Sequence, residues 1–227
     1  MAITQFTYSL SIALLPVLLG MILHEIAHGW MAWKMGDPTA KALGRLTLNP
    51  IPHLDPMGSL FFIITAFVSR ASGTPFIFGW AKPVPIDPRR FRNFRQGLLL
   101  VSLAGASANL LLALAFSFMT KLVLIFSRVP MHRALGGESF LLDMCVMGVY
   151  INCTLAWFNL MPIPPLDGSK VLASLMPAPI ARRYLSIERY GMIIVLLLFV
   201  TDMLPKVMLP LVRGTASFFG RIVDFIF

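Results

Sequence analysis

Three stretches of the chain, Phe6–Leu23, Gly97–Thr120 and Met144–Leu166, run for 18, 24 and 23 residues without a single Asp, Glu, Lys, Arg or His. A hydrocarbon core takes roughly 20 helical residues to cross. Inside it a segment must satisfy its own backbone, so runs of this kind fold as spanning helices. With 57% hydrophobic and only 13% charged residues in 227, a water-soluble globular domain is excluded. Two further apolar segments, 57–69 and 187–212, are shorter or interrupted by charge, which leaves between four and six crossings.

The 19 Lys+Arg against 10 Asp+Glu, a net charge of +9, lie almost entirely between the apolar runs. They read as topology and lipid-headgroup contacts, and no nucleic-acid-binding module fits into the loops that remain. Residues 34–96 carry nine basic residues against Asp37, Asp55 and Asp87, whereas 1–33 carry none. This charge bias places 34–96 on the cytoplasmic side and the amino terminus outside, provided that 57–69 dips into the membrane and returns. The first run lacks the flanks of a cleavable leader and is expected to stay as a span. Cys145 and Cys153 fall eight residues apart within one span and cannot easily pair. The proline-punctuated stretch from Thr74 to Pro88 predicts extended chain with edge-strand character. Toward the carboxyl end, one span near 187–204 and a last helix near 207–227 are expected.

Within the first apolar helix lies His24-Glu25-Ile26-Ala27-His28. Residues four apart share a helix face, so both imidazoles can converge on one metal, usually zinc, while Glu25 reaches a water beside it. Two imidazoles and a carboxylate in an apolar helix are costly unless something satisfies them, and ionisable groups at membrane depth are functional by default. A catalytic zinc needs a third protein ligand and one open position. Asn159-Leu-Met-Pro-Ile-Pro-Pro-Leu-Asp-Gly168 is the candidate source, because Pro162, Pro164 and Pro165 forbid a regular helix just before Asp167. Opened backbone is tolerated in a bilayer only beside protein or a hydrated cavity. Asp167 is thereby either a ligand at that cavity or the cap of the helix that starts near Gly168.

Taken together in this order, His24-Glu25-x-x-His28 and Asn159-x-x-Pro162-x-Pro164-x-Leu166-Asp167-Gly168 resemble the site-2 protease family of intramembrane zinc metalloproteases. Gly105-Ala-Ser-Ala-Asn109, Asn49-Pro-Ile-Pro-His53-Leu-Asp-Pro56 and Gly79-Trp-Ala-Lys-Pro-Val-Pro85 resemble its compact prokaryotic branch without a PDZ domain. The resemblance covers about residues 10–175, and Gly105-Ala106 departs from the Gly-Pro often found there. It implies an all-α polytopic membrane protein: a site-2 protease-like helix bundle with a short membrane-associated extended segment. Residues 1–227 would form one integral membrane domain, with a protease core at about 6–175 and accessory helices at about 187–227.

By the same resemblance His24, His28 and Asp167 bind one Zn2+, Glu25 is the general base, and Asn159 stands beside the metal. Asn159 would hold the scissile carbonyl, or alternatively bond a neighbouring helix. Gly105 and Asn109 are read as close-packing residues, and His53 as a structural loop residue or an outer gate. The substrate implied is a membrane protein cut in or near a transmembrane segment, in a prokaryotic inner membrane, with the site nearer the cytoplasmic face. A homo-oligomer or a regulatory subunit is left open. The competing class is a transporter or metal-handling protein using the same His and Asp residues; a catalytically dead scaffold is a third reading.

Overall fold

The computed structural model describes residues 2–72, 79–127, 131–137 and 139–226. Three helices carry the architecture: α1 (Ala2–Met35), α4 (Phe94–Ser127) and α5 (Phe140–Asn159) pack against one another. Between the first two come a single turn, α2 (Thr39–Ala42), and α3 (Pro56–Ser72). After α5 follow α6 (Asp167–Leu175), α7 (Ala178–Leu185), α8 (Glu188–Val200) and α9 (Met203–Ile226). No sheet forms among the described residues; the one β-bridge pairs Leu54 with Ala81 in antiparallel sense.

Helices α1, α4 and α5 are long and apolar enough to cross a membrane, and α8 with α9, bent by 80°, form a further candidate. The 34 residues of α1 extend for about 51 Å, well beyond a hydrocarbon core of ~30 Å. Its carboxyl-terminal end carries Trp30 and Trp33, both exposed, with Lys34 Nζ 5.4 and 5.2 Å from the two ring centroids and Lys41 Nζ 3.7 Å from Trp33. Amphipathic rings beside ammonium groups are what a membrane–water boundary favours.

With lipid outside, packing inside the bundle depends on close approach, and small residues supply it. A Cβ at Gly20 would stand 2.6 Å from Asn152 Oδ1 and 2.8 Å from Leu155, and one at Gly148 would meet the ring of Phe116 at 2.6–2.7 Å. These glycines bring α1 onto α5 and α5 onto α4. The buried cluster Ala113, Phe116, Cys145, Val149, Cys153 and Val212 fills the layer between α4, α5 and α9. Two side-chain bonds fasten α9: Trp157 Nε1 to Thr215 Oγ1 at 2.9 Å, and Lys121 to Asp224 at 2.7 Å.

Several boundaries differ from the sequence expectation. Segment 57–69 lies within one unbroken helix, which has no proline or glycine between Gly58 and Ser72 and whose apolar stretch is shorter than those of α1, α4 and α5. Asp55 caps its start by accepting the Gly58 N–H at 2.7 Å. The expected span near 187–204 is a 13-residue helix, because Asp202 takes the left-handed conformation (φ +60) and breaks the run before α9. Of the expected extended stretch from Thr74 to Pro88, residues 74–78 lie outside the described residues, and 79–87 contain no helix and only the bridge at Ala81.

Away from the histidines, fully buried Asp143 in the first turn of α5 accepts from Leu135 N at 2.6 Å, Gly137 N at 3.0 Å and Tyr8 Oη at 2.7 Å. It ties the start of α1 to the loop before α5. Asp143→Ala strands three donors and is expected to cost about 2–4 kcal/mol of stability, read as a lower unfolding midpoint in detergent. Tyr8→Phe, which removes one donor and leaves the others paired, should lose about 1 kcal/mol.

Candidate metal centre

Residues four apart on α1 bring His24 and His28 to one face, where their rings meet edge to face with centroids 4.5 Å apart. Their Nε2 atoms lie 2.9 Å from each other, and Asp167 Oδ2 lies 3.2 Å from His24 Nε2 and 2.9 Å from His28 Nε2. All three side chains are buried, and together they form a group able to hold a metal ion. Asp167 is the first residue of α6, whose N-cap is Leu166 without a side-chain bond, so its carboxylate does not cap the helix. It points at the histidines instead.

The outer nitrogens decide what the inner ones can do. His28 Nδ1 is 2.7 Å from the Val101 carbonyl, which can only accept, so that nitrogen carries the proton. His24 Nδ1 is 2.7 Å from Asn109 Oδ1. The Asn109 amide is oriented by its other end: Nδ2 donates to the Gly20 carbonyl at 3.0 Å and to Asn152 Oδ1 at 3.1 Å, while Asn152 Nδ2 donates to the Gly148 carbonyl at 2.9 Å. The bonds therefore run in one direction, from His24 through Asn109 and Asn152 into α5. With both Nδ1 atoms protonated, a neutral imidazole presents a bare lone pair at Nε2. Two such lone pairs and a carboxylate oxygen then converge on one point. Ligand atoms about 2.0–2.1 Å from a tetrahedral zinc are ~3.3 Å apart, close to the separations here, so the donor set fits that ion.

The helices that deliver these groups are shaped for it. A Cβ at Gly105 of α4 would stand 2.6 Å from His24 Cε1 and inside contact distance of His28 Nε2, so only glycine admits the two rings. After α5 the prolines open the chain into a turn from Leu160 to Leu166, held by Ile163 N to Met161 O at 2.8 Å and Leu166 N to Ile163 O at 2.9 Å. Tyr184 of α7 donates its hydroxyl to the freed Pro162 carbonyl at 2.6 Å.

A cavity of about 370 Å³ opens beside the cluster, and His24, Glu25, His28, Asn159 and Asp167 all line it. Glu25 is half-buried, and its Oε2 accepts the Val84 N–H at 2.7 Å. Asn159 Nδ2 donates to the Leu155 carbonyl of its own helix at 2.9 Å, not to a neighbouring helix. His53 lies outside the cavity lining: it is buried, with Nε2 2.9 Å from the Thr47 carbonyl and its own carbonyl accepting Lys82 N–H at 2.8 Å.

Sequence reasoning missed three participants. Asn109 was read as packing, although four residues after Gly105 it shares the face that admits the rings. Lys170, one turn after Asp167, sets Nζ 3.3 Å from Asp167 Oδ1, the oxygen that does not face the histidines. The Val84 amide has no side-chain signature at all.

Comparison with known proteins agrees with this geometry. The profile of Peptidase family M50 matches residues 129–201. Over 200 residues the chain is 35% identical to YwhC of Bacillus subtilis (strain 168), covering 88% of this chain and 85% of that protein. The chain belongs to peptidase family M50. Over 204 residues it is 30% identical to Rip2 of Mycolicibacterium smegmatis, covering 89% of this chain and 72% of that one, and over 72 residues 42% identical to MJ0611 of Methanocaldococcus jannaschii, covering 32% and 31%. All three relatives carry the name of a zinc metalloprotease. No solved structure matches. As an M50 protein this chain is a multi-pass membrane protease of the site-2 type, and no observation favours transport.

Replacing Asn109 by Leu strips His24 Nδ1 of its acceptor and is expected to weaken zinc binding by about 10–100-fold, as measured by competition with a chromophoric chelator. Gly105→Val should weaken it at least as much, by driving a side chain into both rings.

Proposed function

We propose that the chain hydrolyses peptide bonds in or near transmembrane segments of other membrane proteins, using one zinc held by His24, His28 and Asp167, with Glu25 as general base. The convergence of three bare, buried ligand atoms beside Glu25, at the wall of a cavity, carries this reading. Zinc bound there supplies a Lewis acid that brings the pKa of water toward ~7 and polarises a carbonyl. Glu25 takes the proton of the attacking water and returns it to the leaving amine, so that cleavage yields a carboxylate and an amine. Asn159 Nδ2 spends one hydrogen on the Leu155 carbonyl and offers its second to the substrate carbonyl oxygen as negative charge develops there. Lys170 holds the outer oxygen of Asp167 and keeps Oδ2 turned toward His24 and His28, where it would meet the metal.

The basic loops support a placement in a prokaryotic inner membrane with the cavity nearer the cytoplasmic face. The substrate is a membrane protein whose helix unwinds locally to expose its backbone. One integral membrane domain carries the activity: the core at about 6–175 holds every proposed site residue, and the helices from 187 onward are accessory. A second copy or a regulatory subunit would act on this unit from outside.

Glu25→Gln is expected to keep one zinc per chain and lose cleavage of single-span reporter proteins by about 10²–10⁴-fold. Asp167→Ala should lose the metal, as read by zinc analysis of the purified protein. A Glu25→Gln variant that cleaves like wild type, or an Asp167→Ala variant with full zinc content, would sink the assignment.

A further inference from the structure

The stretch Lys82-Pro-Val-Pro-Ile-Asp-Pro88 forms one wall of the cavity, through Pro83, Val84, Ile86 and Pro88. Three of its seven residues are prolines, which have no N–H. Within Pro83-Val84-Pro85 there is consequently a single backbone donor, and it is the one bonded to Glu25 Oε2 at 2.7 Å. Both ends of the stretch are anchored. Lys82 N–H donates to the His53 carbonyl at 2.8 Å, and the Lys82 carbonyl accepts from the Arg45 guanidinium at 2.9 Å. Asp87 N–H donates at 2.7 Å to Asp37 Oδ2, and Asp37 is fully buried and also bonded to Thr39. The Val84 side chain is itself buried, against the α1 surface at Gly29.

We propose that the Val84 amide is the positioning group of the general base: it holds Oε2 of Glu25, so that Oε1 is the oxygen presented to the cavity. This rests on Glu25 being the base. A glutamate has three rotatable side-chain bonds, and a base free to sample them spends little time aimed at the water. A charge-assisted bond from an amide on rigid backbone removes that freedom. Proline on either side sets the local backbone and withholds competing donors, and the Lys82 and Asp87 anchors keep the donor in place. Val84 touches neither substrate nor metal through this amide and acts only through Glu25.

Two measurements on the full-length, zinc-loaded protein test the proposal. In the first, Val84→Pro, which deletes the N–H, is compared with Val84→Ala, which keeps it while losing more side-chain packing. The proline variant is expected to keep its zinc and a KM within about threefold of the alanine variant, with kcat lower by roughly 30–100-fold. Equal kcat in the two variants would overturn the proposal, as would a loss confined to KM. The second measurement is hydrogen exchange at the Val84 amide, which stands even if the proline variant does not fold. Exchange should be slow in wild type and roughly tenfold or more faster in Glu25→Ala. Equal exchange in both proteins would also overturn it. Failure of the zinc-loaded wild type to cleave any reporter would instead strike the general-base reading, and the exchange result would still show whether the amide holds Glu25.

Discussion

Like-signed lone pairs repel, and here three of them are brought to about 3 Å from one another in a part of the molecule with little water to screen them. The surrounding chain pays that cost by construction. Glycine at 105 admits the rings, Val101 and Asn109 take the outer protons so that the inner nitrogens stay bare, and the proline turn swings Asp167 in from another helix. Every one of these devices makes sense with a cation at the centre. The cluster is also the point at which α1, α4 and the α5–α6 connection meet, so the proposed metal site and the assembly of the bundle share the same residues.

The polar network around it is economical because each amide group is oriented by its neighbour. Asn152 bonds its own helix, which fixes the face it turns to Asn109, and Asn109 in turn fixes the tautomer of His24. In a soluble enzyme water could replace any member of such a chain. Between packed apolar helices it cannot, and for that reason a residue two bonds removed from His24 still bears on where that imidazole carries its proton.

Much of this was legible in residue order. Uncharged runs marked the crossing helices, four-residue spacing put His24 and His28 on one face, and the prolines before Asp167 announced that the backbone would open there. What stayed hidden has physical causes. A backbone donor such as Val84 N–H leaves no trace in side-chain chemistry, although the flanking prolines hinted that one amide had been singled out. The acceptor role of Asn109 depends on which helix faces it, which spacing along one helix cannot reveal. The early end of α8 comes from the left-handed backbone at Asp202, a conformation that a non-glycine residue seldom adopts and that composition does not predict. The continuity of α3 could have been read more firmly from the lack of any breaker after Gly58.

The hydroxyl of Tyr184 on the Pro162 carbonyl ties the proline turn to α7, and Gly191 of α8 lies against the Pro164 carbonyl with no room for a side chain. The imidazoles are supported from α4, by the Val101 carbonyl and the Asn109 amide. The helices α7 and α8 thus touch directly the turn that carries the acid, and reach the imidazoles through the packing of α8 on α9 and of α9 on α4 and α5. The acid is one jaw of a clamp whose other two jaws are cast into a single rod.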